Sequence, residues 1–352
     1  MLLTLILHGL CVCFTFGINI DLIEKDLNEP IEKLLLNGNH LFVATVNTLH
    51  RLSVLTLNST HSPFNILTAS CSSSNICLTP VNDDYHWKIL SVINERNLLV
   101  CGTNRHGSCQ IIDHDFNLVS NSSVPVVAND QINSTIGLIL PETNLVYFGV
   151  TYTNQGKYRW QIPNISGRSL DPSRFMKILA ANEDQDVDQT IYRDELSLRF
   201  MPRQQATFIV QYVYAFKTSH YVYFLANQPN DLEQQTIITK IIRFCRKTSA
   251  ALIRSYSEIP LICSSTEWII KDAQLISDSN HQYVLVGLFV KRDGTSGTNF
   301  CTWKVTEDID RAFQENYRRC YSMGIGQRGL AFIKPNEPCR RDEVNADDRF
   351  SR

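Results

Sequence analysis

The side chains best suited to chemistry in this 352-residue chain are its 11 cysteines and nine histidines, and their spacing decides what chemistry is open to them. Cys101, His106 and Cys109 are close enough in sequence to be weighed as metal ligands. A tetrahedral site needs a fourth donor, and none stands nearby. Cysteines flanking a hairpin turn reach disulfide separation without bending the backbone, which favours Cys101 with Cys109 and Cys71 with Cys77. The histidines are scattered singly, and no His-Glu-x-x-His, G-x-S-x-G or phosphate-loop spacing occurs. Gly324–Gly329 fits G-x-G-x-x-G, but it follows a helical pattern and a cysteine rather than a strand, so a glycine-permitted turn is expected. Asp113, His114 and Asp115 could form an acid–base cluster only if they converged. Neighbouring strand residues point to opposite faces, so a solvated turn is expected instead. The reading predicts no enzyme, no cofactor, no metal and no small-molecule substrate.

The same cysteines bear on compartment. Met1–Gly17 carries no Asp, Glu, Lys or Arg and contains the apolar run Leu2–Leu7, the pattern of a signal peptide with cleavage near Gly17; a buried first strand or helix is the alternative. Two cysteines fall inside it and nine remain, an odd number in a compartment where thiols tend to pair. The sequons at Asn58, Asn121, Asn133 and Asn164 all lie in polar, turn-rich stretches and are expected to carry N-glycans. The apolar leader is too short to span a bilayer, and Val284–Val290 is shorter still. Basic and acidic residues number 33 and 35, a formal net charge of -2, so no global field attracts nucleic acid or anionic lipid.

These residues must be positioned by strands. Short apolar runs at Leu41–Val46, Trp87–Ile93, Leu98–Cys101, Leu145–Val150, Thr207–Leu232, Ile237–Phe244, Tyr283–Val290 and Phe300–Val305 are separated by Asn, Asp, Ser, Gly and Pro clusters. With 43% hydrophobic residues the chain can bury a sizeable core, and an all-β propeller extends one domain over this length without enlarging a single core. One helix is predicted, from about Glu307 to Arg319, with Ile309, Phe313 and Tyr317 forming a stripe against a sheet edge. The polar tail after Pro338 is expected to be mobile, and its Arg340-Arg341 pair needs no processing role.

Several segments in fixed order resemble the plexin family. They are Leu41–Leu52, Cys71 and Cys77, Leu98–Ile111 with its Leu-Leu-x-Cys-Gly and Gly-x-Cys-Gln ends, the aromatic hairpin within Thr207–Leu232, Ile242–Cys245, Ser255–Cys263 and Asn316–Gly324. The resemblance covers nearly all of the chain beyond its leader. It implies a sema domain over residues 18–352, a seven-bladed β-propeller of which this chain reaches about five blades. It further implies Cys263 with Cys301 and Cys320 with Cys339, and leaves Cys245 over. In the family the partner of that cysteine lies in an acidic stretch ending Phe-Cys, where this chain reads Asp347-Asp-Arg-Phe-Ser351. An incomplete ring would expose a sheet edge and apolar surface, and poorer secretion than a longer chain is expected. The function implied is semaphorin recognition at the cell surface in guidance signalling, the membrane span and intracellular GTPase-activating region of plexins lying outside these residues. The alternatives are a secreted semaphorin, the sema region of a hepatocyte-growth-factor-receptor-like kinase or, more distantly, a secreted propeller glycosidase with paired carboxylates on one rim. Individual ligand contacts are not legible, because propeller partners bind through loops.

Overall fold

The computed structural model describes residues 23–65, 84–122, 124–154, 162–179, 196–200, 202–230, 236–246, 252–277 and 282–321. The leader, Cys71, Cys77, Gly324–Gly329, Cys339 and the polar tail therefore lie outside the described residues.

The described strands form five antiparallel meanders. Blade one comprises β1 (Ile31–Asn37), β2 (His40–Thr45), β3 (Thr48–Ser53) and β4 (Phe64–Asn65). Blade two comprises β5 (Trp87–Val92), β6 (Asn97–Gly102), β7 (Ser108–Asp113) and β8 (Leu118–Asn121). Blade three comprises β9 (Thr135–Leu140), β10 (Leu145–Val150), β11 (Ile165–Ser169) and β12 (Ser197–Leu198). Blade four comprises β13 (Gln211–Lys217), β14 (Tyr221–Pro229), β15 (Ile237–Cys245) and β16 (Ser257–Pro260). Blade five comprises β17 (Trp268–Ser277), β18 (Tyr283–Lys291) and β19 (Thr298–Lys304). The first strands touch in the order β1, β5, β9, β13, β17, so the blades stack face to face around an axis. That is a five-blade β-propeller arrangement.

The continuous apolar runs follow from this stacking, because a middle strand of an inner blade buries both faces. In β14, Val222, Phe224 and Ala226 pack toward blade three, while Tyr223 and Leu225 pack toward blade five. In β6, Leu98 joins the layer between blades one and two, and its neighbour Leu99 joins the layer between two and three. Four such layers hold the described blades together. Close stacking also leaves no room for side chains at certain turns. Gly107, with φ +92°, would bring a Cβ to 2.1 Å from the Val127 carbonyl oxygen, so the β6–β7 turn requires glycine there.

The last elements begin differently from the helix expected at Glu307. Val305–Asp310 forms one wide π turn, whose Asp308 side chain accepts the Lys304 amide at 2.8 Å, and the helix α1 then runs Arg311–Tyr321. The predicted stripe survives the change of winding: Ile309 and Phe313 are buried against blades four and five, and Tyr317 is half-buried. Arg243 fixes the docking. Its guanidinium lies 4.1 Å from the Tyr221 ring centre and 4.3 Å from that of Phe313, and it donates to Asp310 at 3.2 Å.

Candidate recognition surface

Up-and-down strands of one blade place alternate turns on opposite rims of the propeller. On the first rim lie the β1–β2 turn at Gly38 and Asn39, the β5–β6 turn, the β7–β8 turn, the β9–β10 turn and the β13–β14 turn. Asn94, Glu95, Arg96, Asp115, Glu142 and His220 are all exposed there. Polar contacts between blades stiffen this rim. Arg51 of β3 donates to the His114 carbonyl at 2.6 Å and to Asp115 at 2.9 Å, tying blade one to blade two. Glu142 of blade three accepts Lys217 at 2.8 Å and also Arg246 of blade four. The Lys217 hydrogen bond, helped by both positive charges, holds the Glu142 carboxyl below its ordinary range.

The second rim carries the blade-to-blade connections. Here Asn47 donates to Asp84 at 3.0 Å and accepts the Tyr85 amide, while Arg292 donates to the carbonyls of Ile237 and Thr266. Lys88, on the axial strand β5, donates to the Gln131 and Asn133 carbonyls at 3.0 and 2.8 Å. Burial lowers its pKa to about 8, with Asp130 opposing the shift and Lys33 adding to it.

The structure resolves the sequence's chemical candidates as follows. Cys101 and Cys109 face each other across β6 and β7 and are joined, as are Cys263 and Cys301, which link blade four to blade five. His106 sits exposed in the left-handed β6–β7 turn. Cys320 is buried in α1 and disulfide-bonded. Cys245 ends β15, with its amide donating to Ser255 Oγ at 3.0 Å. Burial foremost, then the neighbouring Cys245, pushes the Tyr147 phenol up to about 12. Asp113 is taken up in a turn, accepting the amides of Asp115 and Asn117 and the Asn117 side chain. Among the described residues no group of three His, Cys, Asp or Glu side chains could hold a metal ion, and no helix is long and apolar enough to cross a membrane.

Of the sequons, Asn58 and Asn121 are exposed and Asn133 is half-buried, its amide donating to Asp130. Asn164 differs from the other three in its surroundings. It is only 3% exposed, its Oδ1 accepts the Phe200 amide at 3.1 Å, and Ile165 and Ser166 behind it are fully buried. In the folded chain the Asn164 side chain thus serves the junction of β11 and β12.

Sequence and structure comparisons place this architecture. No family model matches the chain. Plexin-2 of Caenorhabditis briggsae is 25% identical over 273 residues, 77% of this chain and 14% of that protein. The extracellular region of plexin A4 superposes with a TM-score of 0.68 at 19% identity, covering 88% of this chain and 38% of that one. The fold is that of a sema domain, and the similarity is to plexins. Drosophila Semaphorin 1a also superposes, with a TM-score of 0.56 at 14% identity over 91% of this chain and 64% of that one. The sema propeller thus accounts for the blade order seen here, and the chain spans well under half the length of the plexins it matches.

Proposed function

We propose that this chain is the extracellular, non-enzymatic recognition region of a plexin-like receptor, and that its partner is a semaphorin-type protein. The observation that carries this reading is the plexin-like sequence running in order over 77% of the chain, on a propeller whose superposition is closer to plexin A4 than to Semaphorin 1a. The first rim is the proposed binding face. It offers exposed turns from four consecutive blades on a frame braced by ion pairs, so little ordering is needed on association. Sequon asparagines lie toward both rims, Asn58 on the first-rim β3–β4 connection and Asn121 and Asn133 toward the second, so glycans alone do not choose between the faces. Export through an N-terminal leader at residues 1–17, a sema domain from residue 18 onward, and an extracellular location belong to the same proposal.

The test is binding of the secreted chain to a panel of semaphorin ectodomains and, in parallel, plexin ectodomains. Saturable binding to a semaphorin supports the receptor reading. Binding to plexins alone favours the second reading, a secreted semaphorin-like ligand, which the Semaphorin 1a superposition keeps in view.

A further inference from the structure

Outer blade edges carry unpaired backbone groups and are templates for association with another chain, so each needs protection. In this propeller most edges are protected by visible means. β4 and β12 are two residues long, and β12 is buried. β16 ends in Pro260 and lies beside α1, whose Asn316 side chain reaches Ser257. β19 pairs only with β18 among the described strands and leaves Phe300 72% exposed, so its edge is open, but no sequon lies on it, and the chain after α1 is outside the described residues. β8 is open as well. It spans Leu118–Asn121, pairs only with β7 among the described strands, and has neither a proline nor a helix over it. A register shift at Val119 leaves Leu118 and Val119 both 47% exposed, side by side on this edge. An apolar edge strand that the described residues leave uncovered is an association site unless something blocks it.

Its last residue is the sequon asparagine Asn121, exposed, followed by Ser122. Ser122 is buried and pinned, its hydroxyl accepting the Cys109 amide at 3.0 Å and donating to the Val124 carbonyl at 3.1 Å. The strand end is therefore held rigidly against the disulfide-bonded β6–β7 hairpin, and a glycan on Asn121 would be held beside the edge rather than swinging free. We infer that the N-glycan at Asn121 is the guard of the β8 edge: it keeps the blade-two edge from pairing with a second copy of this chain. A bulky, hydrated group at one end of a four-residue strand blocks the approach of another backbone along its length. The inference rests on passage through the secretory pathway, part of the reading above.

The experiment is expression of the full chain in secretory cells, glycopeptide mass spectrometry, and sedimentation velocity over a hundredfold concentration range. Expected are an occupied Asn121 and a monomer for the parent, and at least a doubling of mass with rising concentration for Asn121→Gln. Asn58→Gln, on the blade-one β3–β4 connection, should remain monomeric. Adding Val119→Lys to Asn121→Gln should restore the monomer, because an edge lysine repels a second strand. The inference is overturned if folded Asn121→Gln stays monomeric throughout, or if Asn121 is unoccupied while Asn58 is occupied. If neither site is occupied, the export reading fails first and the guard falls with it.

Discussion

Breaking the buried charge cluster of blade four should destabilise the protein more than any surface ion pair. Glu258 is almost fully buried and accepts Lys240 Nζ at 2.8 Å, Tyr256 Oη at 2.6 Å and Gln228 Nε2 at 3.1 Å. Lys240 is also buried and keeps one other acceptor, the Asn230 carbonyl at 3.0 Å. Glu258→Leu strands the ammonium. Because the ammonium loses its carboxylate and the Tyr256 and Gln228 donors lose their acceptor, a cost of about 5 kcal/mol is expected, the top of the ~3–5 kcal/mol typical of a broken buried pair. Lys240→Met leaves a buried carboxylate that retains two donors, so about 3 kcal/mol is expected. The double variant removes both charges and leaves the exposed Asn230 carbonyl and the same two orphaned donors, Tyr256 and Gln228, as Glu258→Leu, so their cost of about 1–3 kcal/mol each is counted once. It should therefore fall short of the summed single costs by about 2 kcal/mol or more. Urea unfolding of the secreted chain, followed by tryptophan fluorescence, measures all three. Additivity within about 0.5 kcal/mol, or a Glu258→Leu cost below about 1 kcal/mol, would refute the reasoning.

Three further outcomes follow from the same structure. Replacing Cys263 and Cys301 by serine opens a 38-residue separation and should cost about 4 kcal/mol, whereas Cys101 and Cys109, separated by eight, should cost about 2.5 kcal/mol; denaturant midpoints of the two double variants give the order. Lys88 binds its proton less tightly folded than unfolded, so the unfolded chain holds more protons between pH 8 and about 10.5 and stability attributable to Lys88 rises with pH across that window. Thermal melts should show the parent gaining on Lys88→Met from pH 8 to 10, and a flat difference would contradict the assignment. Glycopeptide analysis should find Asn164 unmodified in folded, secreted protein even where Asn58 is occupied; substantial occupancy would show that the β11–β12 junction is not as described.

Central strands were legible because burial on both faces writes an unbroken apolar run, as in Leu145–Val150, which matches β10 residue for residue. Strands that tertiary context makes were not. β11 reads Ile-Ser-Gly-Arg-Ser, yet every residue is buried, because Arg168 finds Ser166 Oγ at 3.0 Å and the Met176 carbonyl at 2.7 Å. β17 lost its alternation to a register shift between Ile270 and Asp272. The burial of Asn164 was hidden for a related reason: polarity in sequence signals exposure only when no neighbouring strand supplies partners. The first rim was invisible altogether, since its braces join residues 64, 75 and 104 positions apart. The β6–β7 disulfide was readable because both cysteines flank one local turn, a property of sequence alone.

The most direct test of the recognition reading is hydrogen-exchange footprinting of the secreted chain with a semaphorin ectodomain that it binds. Protection concentrated in residues 38–39, 93–96, 114–117, 141–144 and 218–220, with the second-rim turn at 103–107 unchanged, is the predicted result. A saturated complex that leaves those turns unprotected would contradict the proposed face, and the absence of binding to every semaphorin by folded protein would contradict the function itself.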